Sequence, residues 1–262
     1  MVVAVLLVVP GPLALAATLV GTDGPDLLVG TDLPDQLYGE GGDDRLGGVG
    51  GDDYLEGGGG GDVIAGGDGL DLVIGGTGAD SIDAGAGGDV VYAGAGDDLV
   101  LGGPGADTLL GQDGADRLFG GPGGDRIYAS GPDFVDAGSG SDWVGSSAGD
   151  ATIYGGPGDD VVRVSGGNFV VSGGAGSDRV RTGEGADRVN GGPGEDVIAT
   201  GAGPDRVDVR DGRRDRVDCG PGTDTVAADP LDRLTGCETV AGGAAAGRRR
   251  AVRLATSGYR GG

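Results

Sequence analysis

The chain has 262 residues, of which 66 are glycine, and it contains neither histidine nor lysine. These absences exclude an imidazole general base, a histidine-based zinc protease site, a P-loop lysine and Schiff-base chemistry. A formal net charge of −24 and an aromatic content of 4% argue further against nucleic acid as a partner and against a thick core of large side chains.

The N-terminal segment, residues 1–20, is apolar and precedes the glycine-rich part of the chain. It carries no charged residue, Pro10-Gly11-Pro12 interrupts it, and Ala14-Leu15-Ala16 places small residues near its end. This pattern is typical of a secretory signal, although the usual basic start is missing. A membrane anchor is the alternative, disfavoured by the Pro-Gly-Pro break and the marginal length. We therefore expect an exported protein, secreted or held at the cell surface.

A nine-residue repeat follows, with an aspartate in a fixed position and a Leu, Ile or Val two residues later. The frame shortens by one residue before Asp133 and lengthens by one before Asp215. Of its 23 units, 21 carry the aspartate, which chance cannot produce. The aspartates of the first frame are Asp26, Asp35, Asp44, Asp53, Asp62, Asp71, Asp80, Asp89, Asp98, Asp107, Asp116 and Asp125.

Each unit combines a turn and a short strand, as residues 75–83 illustrate. Glycines and other turn formers lead up to Asp80, and the last three residues have strand character. Because side chains alternate along a strand, Ile82 is predicted to face inward while Ser81 and Asp83 face water. One small aliphatic residue per unit makes a thin core, so the units must stack to bury a continuous row, as in solenoid proteins.

Three units carry a family resemblance most clearly: Gly-Gly-Thr-Gly-Ala-Asp-Ser-Ile (75–82), Gly-Gly-Pro-Gly-Ala-Asp-Thr-Leu (102–109) and Gly-Gly-Ala-Gly-Ser-Asp-Arg-Val (173–180). They resemble the haemolysin-type, or RTX, calcium-binding nonapeptide G-G-x-G-x-D-x-U-x. The resemblance implies an all-β fold, a right-handed parallel β-roll (β-solenoid) with two nonapeptides per turn. It also implies calcium ions between loops that are 18 residues apart and stacked on the same side.

The resemblance further implies which residues bind calcium. The aspartates would give side-chain oxygens, and the second and fourth loop positions would give carbonyl oxygens, a donor set that suits a hard cation. The predicted carboxylate ligands are the twelve aspartates above together with Asp142, Asp160, Asp178, Asp187, Asp196 and Asp205. The predicted carbonyl ligands include Gly67, Gly69, Gly76, Gly78, Gly103, Gly105, Gly121 and Gly123.

The middle of the repeat array departs from the pattern. Pairs of aspartates 18 residues apart number ten in the first frame but only four in the second, because Ala151 and Phe169 replace aspartate. We expect this stretch to bind calcium poorly. The aromatic residues Phe134, Trp143 and Phe169 are expected to supply apolar burial there instead.

The C-terminal part contains both cysteines of the chain, Cys219 and Cys237. Two cysteines in an exported chain suggest one disulfide, which would close the last coil as a cap over about 219–240. This end also resembles the terminal segment of secreted actinobacterial calcium-binding repeat proteins. The roll is thus expected over residues 21–241, followed by a basic disordered tail over 242–262, whose only charges are arginines.

We expect a calcium-binding, non-catalytic protein of the cell surface or extracellular space. Its expected partner is a cell-surface component or a second copy of the chain. Two alternatives stay open: a ligand-binding module for ice or a glycan, and a secretion or folding module detached from a toxin or hydrolase. A regular outward array would favour ligand binding, but the outward positions of the first repeats, such as Arg45, Tyr54 and Val63, are irregular.

Overall fold

The structure, a computed structural model, describes residues 2–3, 16–147 and 149–241. Its described part contains 27 strands in two parallel sheets and no helix. The odd sheet consists of β1 (Val2–Val3), β3 (Asp26–Val29), β5 (Arg45–Gly50), β7 (Val63–Asp68), β9 (Ser81–Ala86), β11 (Leu99–Leu101), β13 (Arg117–Pro122), β15 (Phe134–Ser139), β17 (Thr152–Pro157), β19 (Val170–Ala175), β21 (Arg188–Asn190), β23 (Arg206–Asp208), β25 (Thr225–Ala227) and β27 (Thr239–Ala241). The even sheet consists of β2 (Thr18–Val20), β4 (Gln36–Tyr38), β6 (Tyr54–Gly59), β8 (Leu72–Thr77), β10 (Val90–Ala95), β12 (Thr108–Asp113), β14 (Arg126–Ala129), β16 (Trp143–Ser146), β18 (Val161–Val164), β20 (Arg179–Arg181), β22 (Val197–Ala199), β24 (Arg216–Asp218) and β26 (Arg233–Thr235).

The chain crosses from one sheet to the other after every strand, so each coil contributes one strand to each sheet. Strands of successive coils pair in parallel, and Leu55 for example lies beside Val73, which lies beside Val91. Residues 18 apart therefore occupy equivalent places in neighbouring coils. The predicted all-β parallel roll with two repeats per coil is confirmed.

The interior is filled by side chains that alternate along each strand. In β9, Ile82 is 1% exposed while its neighbours Ser81 and Asp83 face solvent, as predicted. The same alternation turns the residues two before and two after Ile82 inward, so that Asp80 and Ala84 are buried as well. The repeat thus has three inward positions, and one of them is a carboxylate.

The two changes of repeat length leave the sheets intact. Arg117 pairs with Phe134 and Arg126 with Trp143 at a spacing of 17 residues, and further on Arg206 pairs with Thr225. The loops absorb the missing or extra residue, because a one-residue slip within a strand would turn its aliphatic residues outward. The aliphatic rows of both sheets therefore run without a break.

The last coils are joined by a disulfide between Cys219 and Cys237, as expected, with a Cα–Cα distance of 5.3 Å. Cys219 occupies an inward position that glycine or alanine fills in most earlier coils and is fully buried. The bridge therefore ties consecutive coils together at the C-terminal end of the stack. In the chain-entropy description a loop of this size contributes about 3 kcal/mol.

The first coil includes Thr18–Val20 as β2, with Leu19 turned toward the core. Most of the predicted signal segment, residues 4–15, lies outside the described residues, and so does the expected basic tail at 242–262. Within the part of the chain that the structure describes, no helix is long and apolar enough to cross a membrane.

Candidate metal centre

The repeat aspartates form two stacks inside the roll. The backbone N–H of most of them donates a hydrogen bond to Oδ1 of the aspartate one coil later, as from Asp62 to Asp80 at 2.8 Å. Such bonds measure 2.7–3.1 Å along the stacks from Asp26 and Asp35 onward. We call the loops that precede the odd strands the odd loop column and those that precede the even strands the even loop column. All eighteen predicted aspartates lie in these columns and are at most 6% exposed.

The columns include three aspartates that the sequence prediction omitted, Asp133, Asp215 and Asp224. Their Oδ1 atoms accept the N–H of Asp116, Asp196 and Asp205 at 2.8–2.9 Å. The prediction paired aspartates at a fixed spacing of 18, whereas these pairs are 17 or 19 residues apart. The aliphatic residue two positions after each of these aspartates could have identified them, because it marks the repeat whatever the loop length.

The expected weak stretch is confined to one side of the roll. Ala151 and Phe169 both belong to the odd loop column, where they replace the buried aspartate and are themselves buried. The even loop column is unbroken beside them, since Asp142, Asp160 and Asp178 are joined by 2.9 Å bonds. The carboxylate stack is therefore interrupted for two rungs on one side only.

The aromatic residues of this stretch do not all fill the interior. Phe169 is fully buried, as expected. Phe134 and Trp143 stand at the first strand position, which faces outward, and are only half-buried. Phe134 contacts Phe119 and Tyr154 on the odd sheet, with ring centroids 5.7 Å apart in both pairs. The expected interior role was therefore wrong for Phe134 and Trp143, because strand alternation sends these positions to the surface.

The second carboxylate oxygen of most repeat aspartates is buried and has no hydrogen-bond partner. Three differ: the Oδ2 atoms of Asp26 and Asp35 accept bonds from the N–H and hydroxyl groups of Thr22 and Thr31, and that of Asp133 accepts the N–H groups of Ser130 and Gly131. Within the described residues, eighteen other Oδ2 atoms are unpartnered: those of Asp44, Asp53, Asp62, Asp71, Asp80, Asp89, Asp98, Asp107, Asp116, Asp125, Asp142, Asp160, Asp178, Asp187, Asp196, Asp205, Asp215 and Asp224. Native interiors rarely leave such groups unsatisfied, so a partner must be supplied here.

Burial and mutual repulsion make these carboxylates costly to ionise. The pKa of Asp80 is raised to about 6, by burial first and also by the neighbouring carboxylates of Asp62 and Asp98, against the lowering effect of the hydrogen bond from Asp62 N–H. The pKa of Asp178 is raised to about 7 by burial first and by Asp196 and Asp160 next. Since each stacked carboxylate raises the pKa of its neighbours, a positive charge would stabilise the whole column.

Main-chain oxygens line the same loops. The carbonyl oxygen of Gly76 points along the stack, where a side-chain carbon added at Gly94 would collide with it, and Gly78 stands in the same relation to Gly96. The positive φ of Gly76, 115°, permits this direction. The other predicted carbonyl ligands, Gly67, Gly69, Gly103, Gly105, Gly121 and Gly123, likewise face glycines 17 or 18 residues later.

The unpartnered carboxylate oxygens also approach main-chain oxygens of the next coil. A carbon added at Gly75 would lie 2.5 Å from Oδ2 of Asp80 and would collide with the carbonyl oxygen of Ala93. Among the described residues, no group of three or more Asp, Glu, His or Cys side chains could hold a metal ion by itself. The donors that the loops offer are carboxylate and carbonyl oxygens, a set that suits calcium and does not suit zinc.

The sequence matches the RTX calcium-binding nonapeptide repeat family in overlapping segments over residues 20–168 and again over 172–207. The chain therefore belongs to this family, and it is a calcium-binding repeat protein built as a parallel β-solenoid. No curated protein matches the sequence at a significant level. The buried unpartnered carboxylates and the carbonyl-rich loops fit the hard, oxygen-binding cation that the family name specifies.

We predict that limited calcium exposes the interrupted odd loop column first. The loops at residues 146–151 and 164–169 lack the aspartate that would complete their rungs, so they should open at calcium levels that still close the first frame. Limited proteolysis across a calcium titration should cut at residues 146–151 or 164–169, both within the stretch 145–172, and leave a resistant N-terminal fragment containing Asp26 to Asp125. The even-column loops at 155–160 and 173–178 serve as internal controls; early cleavage there, or within the first frame, would contradict the prediction.

Proposed function

We propose that this chain is an exported calcium-binding repeat protein that folds on binding calcium and serves as a non-catalytic structural or interaction component outside the cell. The observation that carries the proposal is the set of eighteen buried, unpartnered carboxylate oxygens in the described columns. A chain with so many buried anions requires compensating positive charge, and its described residues contain one ion pair, Arg210–Asp208.

The repeat aspartates and the loop carbonyls would hold the calcium. In the first frame these are the carboxylates from Asp44 to Asp125 and carbonyls such as those of Gly76 and Gly78. Bound calcium supplies positive charge between successive loops. The protein's own contribution in the folded roll is to fix Oδ1 through the N–H of the aspartate one coil earlier, which orients each carboxylate for the ion.

Two features support export. The apolar, uncharged stretch at residues 2–20 resembles a secretory signal. The disulfide between Cys219 and Cys237 is of the kind that persists in oxidising compartments. The absence of histidine and lysine from the sequence supports a non-catalytic role.

A calcium titration that is monitored by isothermal calorimetry and by light scattering tests the proposal. We expect several calcium ions to bind per chain, and we expect reversible association at millimolar calcium if the roll is a surface or matrix component. Magnesium at the same concentration is the control for ionic strength. Absence of calcium binding to the purified chain would refute the proposal, and binding without association would remove only the self-association role.

The metal-free roll should be more stable in mild acid than at neutral pH. Carboxylates such as Asp71 and Asp107 have their pKa raised to about 6 in the folded state, above the ordinary value of about 3.9. The folded state therefore holds extra protons, and its stability is greatest below about pH 4 and falls as the pH rises through about 6. Circular dichroism of calcium-free protein should show more β-structure at about pH 4.5 than at about pH 7.5; the reverse order would contradict the prediction.

A further inference from the structure

The outer face of the even sheet changes character halfway along the roll. From β2 to β12 its outward strand positions carry two charged residues, the acids Glu56 and Asp113. From β14 to β26 they carry a single acid, Asp218, although the chain as a whole is strongly acidic. The arginines at outward positions of these later strands are Arg126, Arg163, Arg179, Arg181, Arg216 and Arg233. We call this surface, from β14 to β26, the arginine face.

The centre of the arginine face is a cluster of three exposed guanidinium groups. Arg163 lies beside Arg181 in the register of β18 and β20, and Arg179 stands on the same strand as Arg181. The three line a shallow groove of about 350 Å³ together with Val197 and Ala199. None of them forms an ion pair within the described part of the chain. Adjacent strands are about 4.8 Å apart, so the positive charges are close and uncompensated.

An aromatic pair adjoins this cluster. Tyr128 and Trp143 have ring centroids 4.8 Å apart, and both line a second groove of about 400 Å³ that reaches Arg163. The indole lies across Gly145, where an added side-chain carbon would collide with Trp143 Cη2. The ring thus lies along the sheet surface rather than projecting from it. We call the two grooves together the track; in it the aromatic rings lie next to the guanidinium groups.

We propose that the arginine face binds an extended anionic polysaccharide. The guanidinium groups would pair with its carboxylate or sulfate groups, for which the planar fork of arginine is suited, and the rings of Tyr128 and Trp143 would pack against apolar faces of its sugars. The row of arginines follows the stacking direction of the coils, so the ligand must be extended. This inference rests on the proposed extracellular role, because such polymers are found outside cells.

Two other anionic partners fit the surface less well. Nucleic acid carries a dense row of phosphates, and a chain of net charge −24 repels it outside the arginine face. An anionic membrane would meet a sheet face on which the Trp143 ring lies along the surface and the exposed aliphatic residue, Val197, has only a short side chain to insert. The polysaccharide has the spaced charge and the apolar ring faces that the track offers.

The test measures binding of the calcium-loaded, full-length protein to chondroitin sulfate, with neutral dextran as the uncharged control polymer. The variant Arg163→Gln/Arg181→Gln removes two charges from the centre of the track. The matched control, Arg188→Gln/Arg206→Gln, removes two exposed, register-paired arginines from the odd sheet, where Asp208 stands on the same strand as Arg206. We expect salt-sensitive binding that weakens about tenfold or more in the first variant and less than about twofold in the second.

Equal losses in the two double variants would overturn the proposal, because net charge alone would then explain binding. Equal binding of dextran, or binding only to single-stranded DNA or phosphatidylserine vesicles, would overturn it as well. Trp143→Leu supplies an independent variant, expected to weaken binding without changing net charge. Calcium-induced circular dichroism is recorded on every variant; a normal calcium response with no polymer binding defeats this inference alone, whereas loss of the calcium response in the unaltered protein defeats the proposed function.

Discussion

Removal of calcium at neutral pH is expected to unfold most of the roll. Without the ion, the buried columns hold stacked carboxylates whose Oδ2 atoms have no partner, and burial and neighbouring charges already raise the pKa of groups such as Asp89 and Asp116 to about 6. Each unsatisfied buried group costs about 1–3 kcal/mol, and the whole folded domain has only about 5–15 kcal/mol to lose. Far-ultraviolet circular dichroism should therefore show loss of β-structure in chelator and its return when calcium is restored.

Magnesium provides the control for this experiment. It prefers near-ideal octahedral geometry and gives up its water reluctantly, so at equal concentration it should restore little of the β-structure. The disulfide between Cys219 and Cys237 should keep the last coils together without folding the rest. A chain that stays compact and β-rich in excess chelator at neutral pH would show that something other than calcium compensates the buried carboxylates of the columns.

Substitution of one buried aspartate should change stability in opposite directions with and without calcium. In Asp80→Asn the side-chain oxygen can still accept the N–H of Asp62, but the negative charge is lost. In chelator the variant should be more stable, because a buried charge between Asp62 and Asp98 is removed. In saturating calcium it should be less stable by about 1–3 kcal/mol, because a charged ligand is lost. The β-structure remaining in chelator, read by circular dichroism, and chemical denaturation in saturating calcium measure the two shifts.

Asp83→Asn is the matched control for that substitution. Asp83 lies three residues further on, in β9, and faces solvent. The same chemical change there should shift stability by less than about 0.5 kcal/mol in either condition. If Asp80→Asn destabilises the protein equally in chelator and in calcium, the role of Asp80 is that of a hydrogen-bonding turn residue and not that of a calcium ligand.

Much of the fold could be predicted because the repeat is short and each strand has only two faces. The aliphatic residue two places after each aspartate, such as Ile82 after Asp80, marked the inward position, and the structure places it in the core. The family assignment followed from the same repetition and is confirmed by the match over most of the array. The ligand roles of the aspartates and glycines stay predictions, although their placement in stacked loops agrees with them.

The stacking of the coils identifies members of the aspartate columns that counting residues along the chain missed. A fixed spacing of 18 left out Asp133, Asp215 and Asp224, because it did not allow loops to lose or gain a residue while strands held their register. Strand alternation by itself predicts that Phe134 and Trp143 face outward, whereas their size suggested that they would be buried.

Local chemistry along the chain sets which residues turn, which form strands and which face inward, since these properties depend on neighbours within one nonapeptide. The arrangement across coils depends on distances between residues far apart in sequence. Arg163 and Arg181 become neighbours only when β18 pairs with β20, and the interruption at Ala151 and Phe169 falls on a single side only because successive loops alternate between two columns. Both the carboxylate stacks and the arginine face are therefore products of the parallel stacking, which brings equivalent positions of successive coils to about 4.8 Å from one another.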